Sequence, residues 1–267
     1  MMRGMFAAIS GLKSHQVMLD VTANDIANVN TIGYKSARTT FTDSLSQLQR
    51  GGAQASPTGG GANAAQVGLG VAIGSIDNQM QSGALQTTGS PLDLSIAGEG
   101  FFRIKQDPAA DKIEYTRAGN FSTNSDGDLV TQEGFFVVGD DGNKINIPPG
   151  GTNVAVAQNG VVSYVPAGGG VRTPAGTLSI ATFPNASGLE RVSGNRWVEG
   201  SNSGPAAPGQ PSTGNFGKIV AGTIEMSNVD LSTTFTTMIT AQRGFQANSR
   251  VISTADEMLQ DLVNLKR

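Results

Sequence analysis

Apolar residues recur at helical spacing at both ends of this chain, while the sequence between them carries the alternations and turn signals of short strands. Near the N-terminus Met5, Ile9, Leu12, Leu19, Ala23 and Ile26 follow a 4-3 spacing broken only by Gln16. Near the C-terminus Leu231, Met238, Ala241, Phe245, Ile252, Ala255, Leu259 and Leu262 do the same, with Thr234 and Asn248 as polar members. Such a repeat puts an apolar stripe along one side of a helix, and the stripe needs a partner to leave water. The natural partner is the stripe at the other end of the chain. A helical pair at the termini around a β-body describes a building block rather than a catalyst.

The first helix is expected from about Met5 to Asn28, ended by Asn28, Asn30 and Gly33, residue types that tolerate the left-handed conformation of a helix stop. Asn228 and Asp230 are N-cap candidates for the C-terminal helix. Tyr34 to Leu48 has a mixed pattern that fits either extended chain or helix. Arg50 to Gln66, RGGAQASPTGGGANAAQ, is expected as a flexible loop, because small residues bury little against the entropy of ordering them. From Val67 onward the signals are β. Leu92, Leu94 and Ile96 alternate with Asp93 and Ser95 as in a half-buried strand. Asp126-Gly127, Asp141-Gly142 and Asn159-Gly160 each sit between apolar runs, the pattern of tight hairpins. Further strands are expected at Val161–Val165, Leu178–Phe183 and Arg196–Glu199, with a loop over Ser201–Gly214.

The fold class that follows is α+β, with terminal helices pairing as a coiled coil and a mainly antiparallel β middle domain. Residues 1–35 and 225–267 form the helical pair, 36–70 a linker with its Gly/Ala-rich loop, and 71–224 the β-rich domain.

The chemistry of the side chains excludes several functions. There is no cysteine, so disulfides, thiol catalysis and thiolate metal sites are ruled out. A net charge of −3 with no basic block argues against binding nucleic acid. No stretch approaches 18 uninterrupted apolar residues, so no membrane insertion is expected. The amphipathic pattern continues through Ser10, Lys13, Ser14 and His15, which argues against a cleaved signal peptide. His15, the one histidine, has no acidic partner at helical spacing and is expected as a surface or packing residue rather than a catalyst. Asn124, Asp126 and Asp128 imitate the opening of a calcium loop, but Phe135 stands where its bidentate glutamate belongs, so a hairpin turn is expected. Gly98-Glu99-Gly100 and Gly59–Gly61 lack the lysine and the strand-helix context of phosphate loops, and are expected as turns. No catalytic, cofactor or metal residues emerge. A carboxylate-pair hydrolase would need two converging acids, and none are visible. A secreted adhesin or carbohydrate-binding module would share the composition but has no use for two terminal stripes.

NDIANVNTIGYK at Asn24–Lys35, following ISGLKSHQVMLDVTA, resembles the signature of the bacterial flagellar rod and hook proteins. DLSIAGEGFF at Asp93–Phe102, YTRAGNFSTNSDGDLVTQEGFFVVG at Tyr115–Gly139 and the stretch from Gly222, beginning GTIEMSNVDLS, are similar to further blocks of that family, in family order. Within the family, AQRGFQANSR at Ala241–Arg250 is most similar to hook members, and the chain length suits the short ones. The resemblance implies a subunit that self-assembles into the tubular hook, the universal joint between rod and filament; the alternative it leaves open is a distal rod protein. It further implies export through the flagellar type III apparatus, a homopolymer in contact with the distal rod, hook cap and hook-filament junction proteins, and a place in the extracellular flagellum. The terminal helices would form the inner layer, with Met5, Ile9, Leu12, Leu19, Ile26, Leu231, Met238, Phe245, Ile252, Leu259 and Leu262 as the assembly interface. Asn24, Asn28, Asn30, Gly33, Tyr34 and Lys35 carry the family motif.

Overall fold

The structure, a computed structural model, describes residues 2–54, 60–108 and 112–265. The chain is α+β, with a long helix at each end, and every strand pairing among the described residues is antiparallel. It divides into two compact units. The first takes residues up to Ala27, Ala37–Asn78 and residues from Asp230 onward, and the second takes Asn28–Ser36 and Gln79–Val229.

In the first unit, helix α1 (Met2–Ala27) packs along helix α2 (Leu231–Asn264). Of the two N-cap candidates, Asp230 caps α2. Its carboxylate accepts hydrogen bonds from the Thr233 hydroxyl at 2.8 Å and the Ser232 N–H at 2.9 Å, and these bonds hold its carboxyl below the ordinary value. The next turns are rich in threonine, a poor helix former. Thr234, Thr236, Thr237 and Thr240 each donate their hydroxyl to the carbonyl four residues back, so these side chains are satisfied locally.

The C-terminal stripe marks the covered face of α2: Ala241 and Ala255 are buried, Met238, Phe245, Asn248, Ile252 and Leu259 are half-buried, and the end residues Leu231 and Leu262 are exposed. The N-terminal stripe needs correction. The buried line of α1 runs through Ala8, Gly11, Ser14, Thr22 and Asp25, beside the expected one; Met5, Ile9, Leu12, Leu19 and Ile26 flank it half-buried, and Ala23 is exposed. The reason is close approach. A Cβ on Gly11 would lie 2.6 Å from the Asn248 amide nitrogen, and one on Gly244 would lie 2.5 Å from His15 Nε2. Small residues therefore occupy the line of contact, and the large apolar ones stand to its sides.

The stretch expected as a linker is mostly strand. Ala37–Asp43 pairs with Val71–Asn78, and Ser46–Arg50 with Ala65–Gly68. Threonines at 39, 40 and 42 favour extended chain, and the Thr40 and Ser75 hydroxyls meet across the ladder at 2.7 Å. α1 lies on the first ribbon: His15 meets Phe41 edge-on at 5.6 Å, and Ser10 accepts from the Val71 N–H at 3.2 Å. His15 thus packs, one of the two roles expected of it. Within the Gly/Ala tract, residues 55–59 lie outside the described residues, as does Gly59 of the glycine cluster. The flanks are not loose, because Ala53 and Ala62 exchange backbone hydrogen bonds at 2.8 and 3.0 Å.

The second unit is built on a nine-stranded antiparallel sheet. Its main path runs 190–192, 196–198, 114–116, 101–105, 136–137, 129–131, 121–123, while 180–182 bridges 101–105 to an edge strand at 207–209. The three Gly-containing dipeptides make the turns expected of them, with Gly127, Gly142 and Gly160 all at positive φ. Leu94, Ile96, Phe102, Ile104, Leu129 and Leu178 form the main core, with Phe102 edge-on to Phe121 at 5.1 Å. A second cluster gathers Phe101, Tyr115, Leu189 and Trp197. Two expectations fail here. Ser95 is buried along with Leu94 and Ile96, its hydroxyl 2.6 Å from that of Thr223, so this strand is covered on both faces. The Ser201–Gly214 loop hides a short strand, Ala207–Gly209, whose Pro208 suits an edge position.

Gly11→Leu should weaken the helical pair, since forcing extra side-chain volume into a packed contact costs about 1–3 kcal/mol. Far-UV circular dichroism should show an earlier helical transition, while fluorescence of Trp197, buried in the second unit, keeps its transition. Coincident, unchanged transitions would show that the helices do not approach closely at Gly11.

Candidate functional site

Three charged side chains meet in the interior of the second unit. Glu225 Oε1 accepts from Lys35 Nζ at 2.6 Å and from the Gly83 N–H at 2.9 Å, and Oε2 accepts from Arg117 Nη1 at 3.1 Å. The Lys35 and Glu225 side chains have no solvent exposure, and that of Arg117 has 4%. Lys35 Nζ also donates to the Gln81 carbonyl at 2.8 Å and Arg117 Nη2 to that of Gly98 at 2.9 Å, while Arg117 Nε has no hydrogen-bond partner. Burial pulls the Lys35 ammonium below its ordinary value, against the opposing contact with Glu225. Arg117 is lowered for the same reason, with Glu225 again opposing. Two cations and one anion leave the cluster with one positive charge in excess. A carboxylate so fully engaged has no capacity for acid–base chemistry; the arrangement ties segments together.

Lys35 reaches this cluster because of the turn before it. Gly33 adopts φ +67° and donates to the Glu225 carbonyl at 2.8 Å, and a Cβ on it would lie 2.6 Å from the Ala118 nitrogen. A glycine is required there on both counts. Tyr34 is buried beneath Arg191, whose guanidinium carbon lies 4.5 Å from the Tyr34 ring and 5.0 Å from that of Trp197, and which donates to the Lys35 carbonyl at 2.6 Å. Asn228, considered a cap from the sequence, is instead a staple. Its Oδ1 accepts from the Ser36 N–H at 2.8 Å, and its Nδ2 donates to the Gln79 and Gln81 carbonyls at 2.8 and 3.1 Å.

Gly33, Tyr34 and Lys35 of the motif are therefore interior to the second unit. Asn28 accepts from the Thr31 hydroxyl at 3.0 Å in the turn after α1, while Asn24, in α1, and Asn30 are exposed. The eleven stripe residues all lie on α1 and α2 and none belongs to this cluster. Sequence reasoning missed Arg117, Glu225, Arg191 and Asn228. The available signal was that Lys35, Arg117 and Glu225 each fall inside one of the quoted blocks. The Asn124–Asp128 segment is the expected hairpin turn: Asn124 Oδ1 accepts from the Asp128 N–H at 2.7 Å, and Asp128 is held by Lys144 at 2.7 Å and Asn146 at 2.6 Å. Burial of Asp128 pushes its carboxyl up, but these hydrogen bonds together hold it below the ordinary value. Among the described residues no group of acids and histidine is placed to hold a metal, and no helix is long and apolar enough to cross a membrane.

Lys35, Arg117 and Glu225, which meet in that cluster, come from three stretches that family models match. Residues 5–35 match the model described as flagella basal body rod protein, residues 95–164 the flagellar hook protein FlgE/F/G D1 domain, and residues 220–265 the flagellar basal body rod FlgEFG protein C-terminal. The chain belongs to the flagellar rod and hook protein family, whose members are structural and assemble into polymers within the flagellum. It is 47% identical to the flagellar basal-body rod protein FlgG of Bacillus subtilis over the whole of both chains. It is 39% identical to the FlgG of Caulobacter vibrioides over 99% of this chain and 100% of the other. Against the flagellar hook protein FlgE of Borreliella burgdorferi it is 26% identical, both chains being fully covered in an alignment of 445 positions. The preference for hook drawn from AQRGFQANSR is thus not the one the relatives favour.

Glu225→Gln should destabilise the second unit more than Lys35→Met. The first leaves two buried cations facing each other, whereas the second leaves a neutral Glu225–Arg117 pair. Removing one partner of a buried pair typically costs about 3–5 kcal/mol, and Glu225→Gln should fall in that range. Urea unfolding followed by Trp197 fluorescence measures both, and the reverse order would show that the cluster's charge balance is not what holds it.

Proposed function

We propose that this chain is the distal rod subunit of the flagellar basal body, the alternative that the sequence left open beside the hook. The observation that carries this is the end-to-end similarity to rod proteins of the same length, 47% over 268 aligned positions, against 26% over 445 positions for a hook protein. A hook protein of that kind needs sequence for which this chain of 267 residues has no counterpart.

On this proposal α1 and α2 pair as a coiled coil in the inner layer of a tube, with Met5, Ile9, Leu12, Leu19, Ile26 and the α2 stripe meeting in or between neighbouring copies. The β-rich middle domain forms the outer layer. Subunits reach the growing end through the flagellar type III export apparatus, keeping their amphipathic N-terminus uncleaved, and polymerise by a head-to-tail contact whose rotation does not close. The hook cap and hook-filament junction proteins, expected as partners of a hook, then become neighbours of a later structure on the same axis.

Deletion of the gene should leave cells with an incomplete rod and no hook, and electron microscopy of the polymerised chain should show straight, stiff tubes. Curved tubes, or a deletion strain that completes its rod and lacks only the hook, would return the chain to the hook reading.

A further inference from the structure

Besides Leu231 and Val263 near its ends, α2 leaves two groups of apolar residues in water. Phe235 and Ile239 are about half exposed and stand on one flank of the stripe, in the N-terminal half of the helix. Val251 and Met258, also about half exposed, stand on the opposite flank in the C-terminal half, joined there by Leu262, the exposed end of the stripe. The change of flank follows from helical spacing. Positions 235 and 239 lead the stripe residues 234 and 238 by one, whereas 251 and 258 precede 252 and 259 by one, and 262 lies one turn beyond 258.

We infer that these two groups are the two halves of one contact between copies, in which the α2 helices of neighbouring subunits lie parallel and shifted along their axes. The inference rests on the chain being a polymerising subunit, as its family membership shows. A contact between identical patches across a twofold axis would put each patch on its own copy. Here the patches differ in flank, height and composition, so the surface that fits one is the other. A shift of about 18 residues, or about 27 Å at 1.5 Å per residue, sets Phe235 of one copy between the levels of Val251 and Met258 of the next, and Ile239 beside Met258.

The charges fit the same register. That shift brings Arg243 level with Asp261, and neither has an ion pair within the chain among the described residues. Around the helix, at about 100° per residue, Arg243 lies about 60° past the Phe235–Ile239 group, and Asp261 lies about 80° short of the Val251–Leu262 group. When the two groups of parallel helices face each other, those opposite offsets fall on the same side of the contact. The arrangement that covers the apolar groups therefore also pairs the charges.

The chain contains no cysteine, so introduced thiols report without background. Ile239→Cys and Met258→Cys are placed singly and together in the full chain, each produced alongside the unmodified chain so that assembly proceeds, and the isolated flagellar structures are oxidised. Two positions so far apart on one straight helix are too distant to bridge internally. The double variant should give dimers and higher species, and the single variants should stay monomeric. Phe235→Cys with Val251→Cys should behave alike and covers the case in which the first pair fails to incorporate. Assembled double variants of both pairs without cross-linked species, or single variants that dimerise alone, would overturn the proposed contact. Cross-linking found in curved hooks rather than rods would overturn the rod reading and leave the contact standing.

Discussion

The second unit depends on the Glu225 carboxylate held between Lys35 and Arg117. Desolvating three charges is unfavourable, and what offsets it is that nearly every donor and acceptor of the cluster is engaged, by one another or by the carbonyls of Gln81 and Gly98. The partners come from separate parts of the chain: the turn after α1, the segment near Gly83, the strand end at Arg117 and the last strand before α2. Since no apolar contact would tolerate half of such a cluster, these segments are required to assemble together. Asn228 reinforces the same junction, tying Ser36 and Gln79 to the approach to α2.

The first unit is organised differently. Its helices meet over glycine, alanine and short polar side chains, and large apolar residues of α2 remain on its flanks. The second unit thus engages its buried charges with one another, while the first leaves apolar surface that gains only when another surface covers it. On the proposed function that division has a use: one part keeps its shape, and the other supplies the free energy of association. Covering apolar area yields roughly 25 cal/mol per Å², so a contact repeated along a tube needs no single strong anchor.

Much of this was legible in the amino-acid order. The α2 stripe emerged at the expected positions because its contact residues are mostly large enough to register as apolar. The α1 contact line did not, because close packing selects Gly11 and Ser14, residues that no hydrophobic periodicity marks. Strand 37–43 was obscured by its polar, threonine-rich sequence. The ionic cluster was legible only in pieces. Lys35, Arg117 and Glu225 stand apart in sequence, and a lone charge in a strand reads as solvent-facing until its partners are known. The turns at Gly127, Gly142 and Gly160 were plain, since an Asn-Gly or Asp-Gly dipeptide states a local conformational requirement that tertiary context seldom overrides.

Amide hydrogen exchange on the intact chain tests the central role of the cluster most directly. The N–H groups of Gly33, Ser36 and Gly83 donate to Glu225 or Asn228 at the junction, although they lie outside regular strands. They should exchange only when the whole second unit unfolds, with the same opening free energy as the core strand amide of Leu94. Exchange of these three at rates typical of exposed turns, while Leu94 stays protected, would contradict the account.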